Sequence, residues 1–162
     1  MPQEWCVAHE QLKLQNQLCF PVYAASRLMI REYQPYLDQL GITYAQYLVL
    51  MVLWETDRVP VNQITQRLFL NTNTVTPILK RMEAQGLITR QRAASDERKV
   101  IVSLTPKGQH LEAAATAIPE QLVASLVSND MDAEELQAIK EQLERIVQHL
   151  AATPDLADNR EG

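Results

Sequence analysis

At Gly86 the hydrophobic period of the chain changes. Before it, apolar residues recur at steps of three and four, the spacing of amphipathic helices. After it come two short, β-branched, partly alternating runs, residues 87–92 and 98–104, around a plausible five-residue loop, 93–97. That pattern predicts a β-hairpin. Upstream, Thr43-x-x-Gln46 fits a capping box that opens a helix over 44–55. A loop at Asp57-Arg58 and Pro60 leads to a short helix over 61–68, with Val61, Ile64 and Leu68 on one face. A turn at 69–71 follows. Asn71, Thr72, Asn73 and Thr74 can each cap the next helix, which runs to Gln85 and stops at Gly86, with Pro77 placed near its first turn.

The flanks read as long helices. From 12 to 36, Leu14, Leu18, Val22, Ala25, Met29 and Tyr33 form one stripe. Pro21 should kink this helix or mark a break just before it, and Pro35 is placed to end it. Leu40-Gly41 reads as a stop and a turn. Thr105-Pro106 opens a helix expected to run to about 127, and Asp132-x-x-Glu135 is a second capping box for a final helix to about 150. The fold expected is mainly α with a small β-hairpin: a winged helix-turn-helix between helical flanks. The divisions are a flexible segment 1–11, a helix 12–40, the winged region 41–108, helices 109–151 and a loose tail 152–162.

Composition matters mainly through its distribution. The chain of 162 residues carries a net charge of −5, which argues against nucleic acid at first sight. Yet residues 80–107 hold seven Lys/Arg against three Asp/Glu, inside an otherwise acidic chain. A solvated charged face is the bland account of such a block; a footprint for a polyanion is the other. The order of elements favours the second. A B-form major groove admits one helix, and the first turns of that helix meet the base edges. Here they offer Asn71, Thr72, Asn73, Thr74 and Thr76, with Lys80 and Arg81 one turn later for phosphates. The hairpin adds Arg90, Arg92, Arg98 and Lys99. Asp96 and Arg98 lie two apart, so in an extended segment they point the same way, and an ion pair there would shape the wing while aiming Arg98 at a phosphate.

No apolar run is long enough to span a bilayer, no secretory signal opens the chain, and two cysteines are too few for a disulfide framework. A cytoplasmic protein with no membrane association is expected. His9, His110 and His149 are scattered, and no His/Cys cluster has metal-ligand spacing, so neither a metal nor a cofactor is expected.

The stretch 41–108, with its Asp96-Glu97-Arg98 wing segment and its closing Leu104-Thr105-Pro106-Lys107-Gly108, resembles the DNA-binding part of the MarR family of repressors. That resemblance implies a homodimer in which the N-terminal helix and the last two helices interlock, with 12–40 and 109–151 as the helical dimerisation region and 41–108 as the DNA-binding region, bound to a pseudo-palindromic double-stranded operator. Leu14-Gln15-Asn16-Gln17-Leu18-Cys19-Phe20, with Tyr23, Ser26-Arg27, Tyr33, Pro35, Leu37-Asp38 and Thr43-Tyr44-x-Gln46-Tyr47-Leu48, is similar to the organic-hydroperoxide-sensing subgroup. In that subgroup the cysteine matching Cys19 is oxidised by organic hydroperoxides, tyrosines matching Tyr23, Tyr33 and Tyr44 surround it, and oxidation releases DNA.

The chemistry of the residues is compatible. A thiol attacks peroxide as its thiolate, and a position near a helix start favours an anion. Tyr23 lies at i+4 from Cys19. Tyr33, fourteen residues on, is about 21 Å away along the same helix and cannot touch its own Cys19. The tyrosine of an antiparallel partner helix can, and Tyr44 needs the same geometry. Residues 20–162 contain no cysteine. The reading is therefore a one-cysteine sensor whose sulfenate is capped by a small cellular thiol, with Cys6 as the alternative resolving partner. Two other functions compete: a repressor gated by a phenolic or drug-like ligand, with Cys19 merely packed, and a thiol peroxidase. The second finds no polar catalytic set in the sequence, and no enzymatic activity is expected.

Overall fold

The computed structural model describes residues 9–127 and 131–152. The segment 1–8, with Cys6, and most of the tail expected at 152–162 lie outside them. The chain forms two compact units, one ending at Ile118 and one starting at Pro119.

The first unit opens with two single turns of 3₁₀-helix, Glu10–Leu12 and Leu14–Asn16. Asn16 Nδ2 donates to the Glu10 carbonyl and Gln17 Nε2 to that of Gln11, each at 2.7 Å. Helix α1, Cys19–Leu40, then starts seven residues later than the apolar stripe suggests. The reason is Pro21. In the first turn its missing N–H has no intrahelical acceptor to lose, so the helix begins around it instead of bending at it. Pro35 does not end α1, contrary to expectation. It sits on the solvent side, where water can serve the carbonyl it leaves unbonded. The stop is Gly41, at φ 66°, with Gly41 N–H donating to Asp38 and Ile42 N–H to Leu37, both at 3.1 Å.

Helix α2, Tyr44–Glu55, is apolar on nearly all sides and supplies Val49, Leu50 and Leu53 to the core, each fully buried. Its capping box is made: Thr43 Oγ1 accepts from Gln46 N–H and Gln46 Oε1 from Thr43 N–H. Strand β1, Val59–Pro60, replaces the loop expected there. The Asp57 carboxylate draws it in by accepting from both Arg58 N–H and Leu104 N–H at 2.8 Å. Proline is tolerated because the strand is an edge. Helices α3, Val61–Leu68, and α4, Thr72–Ala84, follow. Asn71 caps α4, accepting from Thr74 N–H at 2.8 Å. Pro77 lies a turn deeper than expected, past the free N–H groups, on the exposed side of the helix.

Strands β2, Ile88–Ala93, and β3, Asp96–Leu104, form the hairpin in a sheet ordered β1-β3-β2, all antiparallel. Ala93 pairs with Asp96, so the tip is Ala94-Ser95 and not the longer loop expected; a register shift between Arg92 and Ala93 accommodates it. Helix α5, Pro106–Ala115, is capped by Thr105, whose Oγ1 accepts from Gly108 N–H at 3.1 Å.

The single helix expected from 106 to about 127 is two. Helix α5 ends at Ala115, the chain turns at 116–117, and α6 is Ile118–Leu126, with Pro119 in its first turn, where the missing N–H costs least. In the second unit, α7, Ala133–Ala151, carries the expected capping box, with Glu135 N–H on Asp132 Oδ1 and Asp132 N–H on Glu135 Oε2, both 2.9 Å. None of its residues is buried, and Ile139, Leu143, Ile146, Val147 and Leu150 stand exposed. Among the described residues no helix is long and apolar enough to cross a membrane.

Among the described residues, one polar side chain joins the core. Gln46 is 3% exposed and, besides its cap, donates from Nε2 to Gln85 Oε1 at 2.9 Å, tying α2 to the end of α4. Replacing it by Leu removes the acceptor of Thr43 N–H and the donor to Gln85, both on exposed residues, and should cost about 1 kcal/mol in urea unfolding. Gln46→Glu, which keeps the cap, should lose less.

Candidate functional site

The first turn of α4 and the hairpin face one another across a groove of about 380 Å³, lined by Asn62, Thr72, Thr76, Arg90, Arg98 and Lys99 among others. Thr72, Asn73 and Thr74 are exposed at the helix start, as are Lys80 and Arg81 a turn or more later; Thr76 is half-buried. Asn71 is different. Its Oδ1 accepts from both Thr74 N–H and Thr74 Oγ1, so only its amide nitrogen is left to serve a base. Asn62 carries no signal in the sequence, where it looks like any polar residue on a short helix.

The four cations of the hairpin divide into two kinds. Arg90 is half-buried and clamps Glu83 of α4: Nε and Nη2 reach Oε2 at 3.0 and 2.7 Å, and its N–H reaches Oε1 at 3.1 Å. Arg90's hydrogen bonds hold the Glu83 carboxyl below the usual carboxylate range. Arg92 donates to the Glu97 carbonyl at 3.1 Å and so braces the tip. Arg98 pairs with Asp96, as its spacing suggests, through N–H at 3.1 Å and Nε at 3.2 Å, and its side chain is still 92% exposed. Lys99 is exposed beside it. Arg98 and Lys99 therefore offer charge outward, while Arg90 and Arg92 hold the wing's shape. Arg98→Ala should weaken binding to duplex DNA and flatten its salt slope by about one per protomer, with the melting temperature unchanged. Arg90→Ala should lower the melting temperature, as scanning calorimetry would read.

A second cluster lies between α1 and α2. The Tyr33 ring centroid is 5.0 Å from that of Tyr44 and 5.9 Å from that of Tyr47, and Tyr47 meets Trp54 at 6.1 Å. Tyr47 is not among the expected site residues, although its spacing from Tyr44 puts both on one helical face. Burial, then the neighbouring Tyr44 and Tyr47 phenols, push Tyr33 up to about 12, and burial raises Tyr44 and Tyr47 as well. All three are neutral donors at physiological pH. Ionisation of all three is harder folded than unfolded, so their contribution to stability is complete below the ordinary tyrosine range and is lost as pH rises through the raised values, about 12 for Tyr33. A phenolate absorbance titration should show Tyr33 among the last tyrosines to ionise.

Cys19 is the first residue of α1 and is exposed. Tyr23, one turn on, is 59% exposed, and the Arg27 guanidinium lies 5.6 Å from its ring centroid. Cys19, Tyr23 and Arg27 thus follow one stripe at intervals of four; Arg27 is not among the expected site residues. Tyr33 is fourteen residues from Cys19, about 21 Å of helix, so a single chain brings Tyr33 to Tyr44 and not to Cys19. Around Cys19, Leu14, Leu18 and Val22 stand 58%, 80% and 45% exposed.

Residues 31–114 match the family model described as transcriptional regulator SarA/Rot. The organic hydroperoxide resistance transcriptional regulator of Bacillus subtilis is 46% identical over 129 residues, which is 80% of this chain and 88% of that one. AbfR of Staphylococcus epidermidis has been solved in several states. Its reduced form bound to DNA has a TM-score of 0.71 at 40% identity, covering 88% of this chain and 97% of that one. The overoxidised form bound to DNA gives 0.68 at 42% identity, with coverages of 87% and 97%. The disulfide form gives 0.60 at 41%, with 87% and 94%. Fold, wing and relatives agree, and the chain belongs to the MarR family of winged-helix transcriptional regulators, in the branch of the organic hydroperoxide resistance regulators.

Proposed function

We propose that this regulator is a redox-sensing repressor: a homodimer that binds a pseudo-palindromic operator and releases it when organic hydroperoxide oxidises Cys19. The observation that carries this reading is the separation of Cys19 from Tyr33 and Tyr44 within one chain, together with the unpartnered apolar side chains around it. An antiparallel partner helix covers those side chains and brings its own neutral phenols to the sulfur. The bare face of α7 points the same way: residues 12–40 and 109–151 supply the dimer, and 41–108 the DNA-binding part.

On the DNA, Thr72, Asn73, Thr74 and Thr76 with the Asn71 amide face base edges, Lys80, Arg81, Arg98 and Lys99 face phosphates, and Arg90, Arg92 and Asp96 hold the wing in place. In the sensor, the Cys19 thiolate attacks one peroxide oxygen. The S–O bond forms, the O–O bond breaks, and the alkoxide leaves as alcohol with a proton. The product is a sulfenic acid. A small cellular thiol condenses with it, forming a mixed disulfide and releasing water. Phenolic O–H groups of Tyr23, Tyr33 and Tyr44 stabilise the anion before attack. The added bulk cannot be housed in a packed interface without moving helices, and those helices set the distance between the two α4 elements. A shift from 99% to 1% occupancy needs about 5.5 kcal/mol of preference for the non-binding arrangement. AbfR, bound to DNA both reduced and overoxidised, is consistent with bulk and not sulfur oxidation alone being what counts.

The test is a gel shift on the regulator's own promoter region, with and without an alkyl hydroperoxide plus a small thiol. Wild type should release and Cys19→Ser should stay bound. Release by both variants would favour the ligand-gated reading, and peroxide consumed far beyond one equivalent per thiol would favour an enzyme.

A further inference from the structure

Three helices of this fold end with the same pair of backbone hydrogen bonds. At the end of α1, Gly41 N–H donates to Asp38 and Ile42 N–H to Leu37. At the end of α4, Gly86 donates to Glu83 and Leu87 to Met82. At the end of α3, Phe69 donates to Gln66 at 3.4 Å and Leu70 to Thr65 at 3.0 Å. This closure requires a left-handed residue, and the first two positions are glycines at φ 66° and 70°. The third is Phe69, at φ 53°. An L residue in that region carries a steric cost that glycine escapes, and for a bulky one it is a real outlier. Packing does not offset the cost here, since Phe69 is 67% exposed. The phenyl ring is thus free to meet a partner of this chain, and its place in the fold points to one. It is two residues before Asn71, the cap of α4, at the end of the helix that precedes Thr72, Asn73 and Thr74.

We infer that Phe69 is a DNA-contacting residue, its ring lying on the apolar edge of the duplex, deoxyribose and thymine methyl, beside the bases that α4 reads. The inference rests on the proposed placement of α4 in the major groove and adds a contact that no charge or hydrogen-bond count reveals. Backbone strain retained next to a binding surface is the pattern of a position chosen for function over stability.

The two properties should move in opposite directions. In the reduced, full-length protein, Phe69→Gly should raise the melting temperature by about 2 °C and weaken operator binding roughly tenfold. Phe69→Asn, which tolerates the left-handed region without glycine's looseness, should do the same. Phe69→Tyr should bind as wild type. A fall in melting temperature for both Gly and Asn variants would make the ring a packing residue and overturn the inference, as would unchanged affinity in both. Failure of the wild-type protein itself to bind the promoter is a different result: it removes the reading of α4, and this contact with it.

Discussion

Gly108→Ala is expected to destabilise the protein by about 3 kcal/mol in urea unfolding, well beyond the loss expected at Gly41. An added Cβ would stand 2.1 Å from the Leu87 carbonyl oxygen, 3.1 Å from its carbon and 3.2 Å from Leu104 Cδ2. The obstructing atoms are backbone, and that backbone is held: the Leu87 carbonyl accepts from Thr105 N–H at 3.1 Å, and the Gly108 carbonyl accepts from Trp54 Nε1 at 3.1 Å. Relief requires α5 to back away from the start of the hairpin, breaking the Thr105 cap and the Trp54 bond together. The contrast is Gly41, where a methyl group would meet nothing within 4 Å and only the left-handed backbone opposes alanine. Gly41→Ala should cost about 1 kcal/mol. Equal losses at the two sites would mean that the close approach of α5 to Leu87 is not a fixed feature.

Cys19→Ser is expected to abolish the peroxide response while leaving folding and operator affinity within about twofold of wild type. Within one chain the side chain is exposed at the start of α1 and lies outside the core, and serine in its place adds no bulk to the proposed interface. Its loss is therefore chemical: an alcohol does not cleave the O–O bond at neutral pH. Tyr33→Phe and Tyr44→Phe should keep a response but slow it, because each removes one phenolic donor without removing the nucleophile. Cys6→Ser should respond as wild type if a small thiol resolves the sulfenate. Anisotropy of a labelled operator fragment, followed over time after peroxide addition, reads all of these.

What the sequence makes legible is what neighbouring residues decide. The capping boxes at Thr43/Gln46 and Asp132/Glu135, the stop at Gly41 and the Asp96–Arg98 pair each involve residues close together in the chain, and each stands in the structure where the spacing puts it. Prolines are harder because spacing alone does not say which of them a helix absorbs. Pro35 and Pro77 sit inside helices, whereas Pro119, exposed as they are, stands in the first turn of a new helix after α5 has ended. Strand β1 is hidden in the sequence since it depends on Asp57 reaching Leu104, 47 residues away. Arg90 reads as a DNA-facing cation in the sequence because its partner Glu83 lies across the stop at Gly86, on a different element. Between α1 and α2 the tyrosine spacing is readable, but the part of Tyr47 in the cluster needs the two helices packed. Phe69 carries no sequence signal at all: its left-handed backbone, shared among the non-glycine residues described only with Arg58, is a feature of the folded chain.

The most direct test joins modification to occupancy in one sample. Reduced protein on its operator is given an alkyl hydroperoxide with a small thiol, and portions are taken for intact and peptide mass measurement and for the fraction bound. The account predicts that DNA is lost in step with one thiol adduct per protomer, on Cys19, and regained when a reductant removes it. Release of DNA with Cys19 unmodified, or full modification of Cys19 with the operator still held, would contradict it.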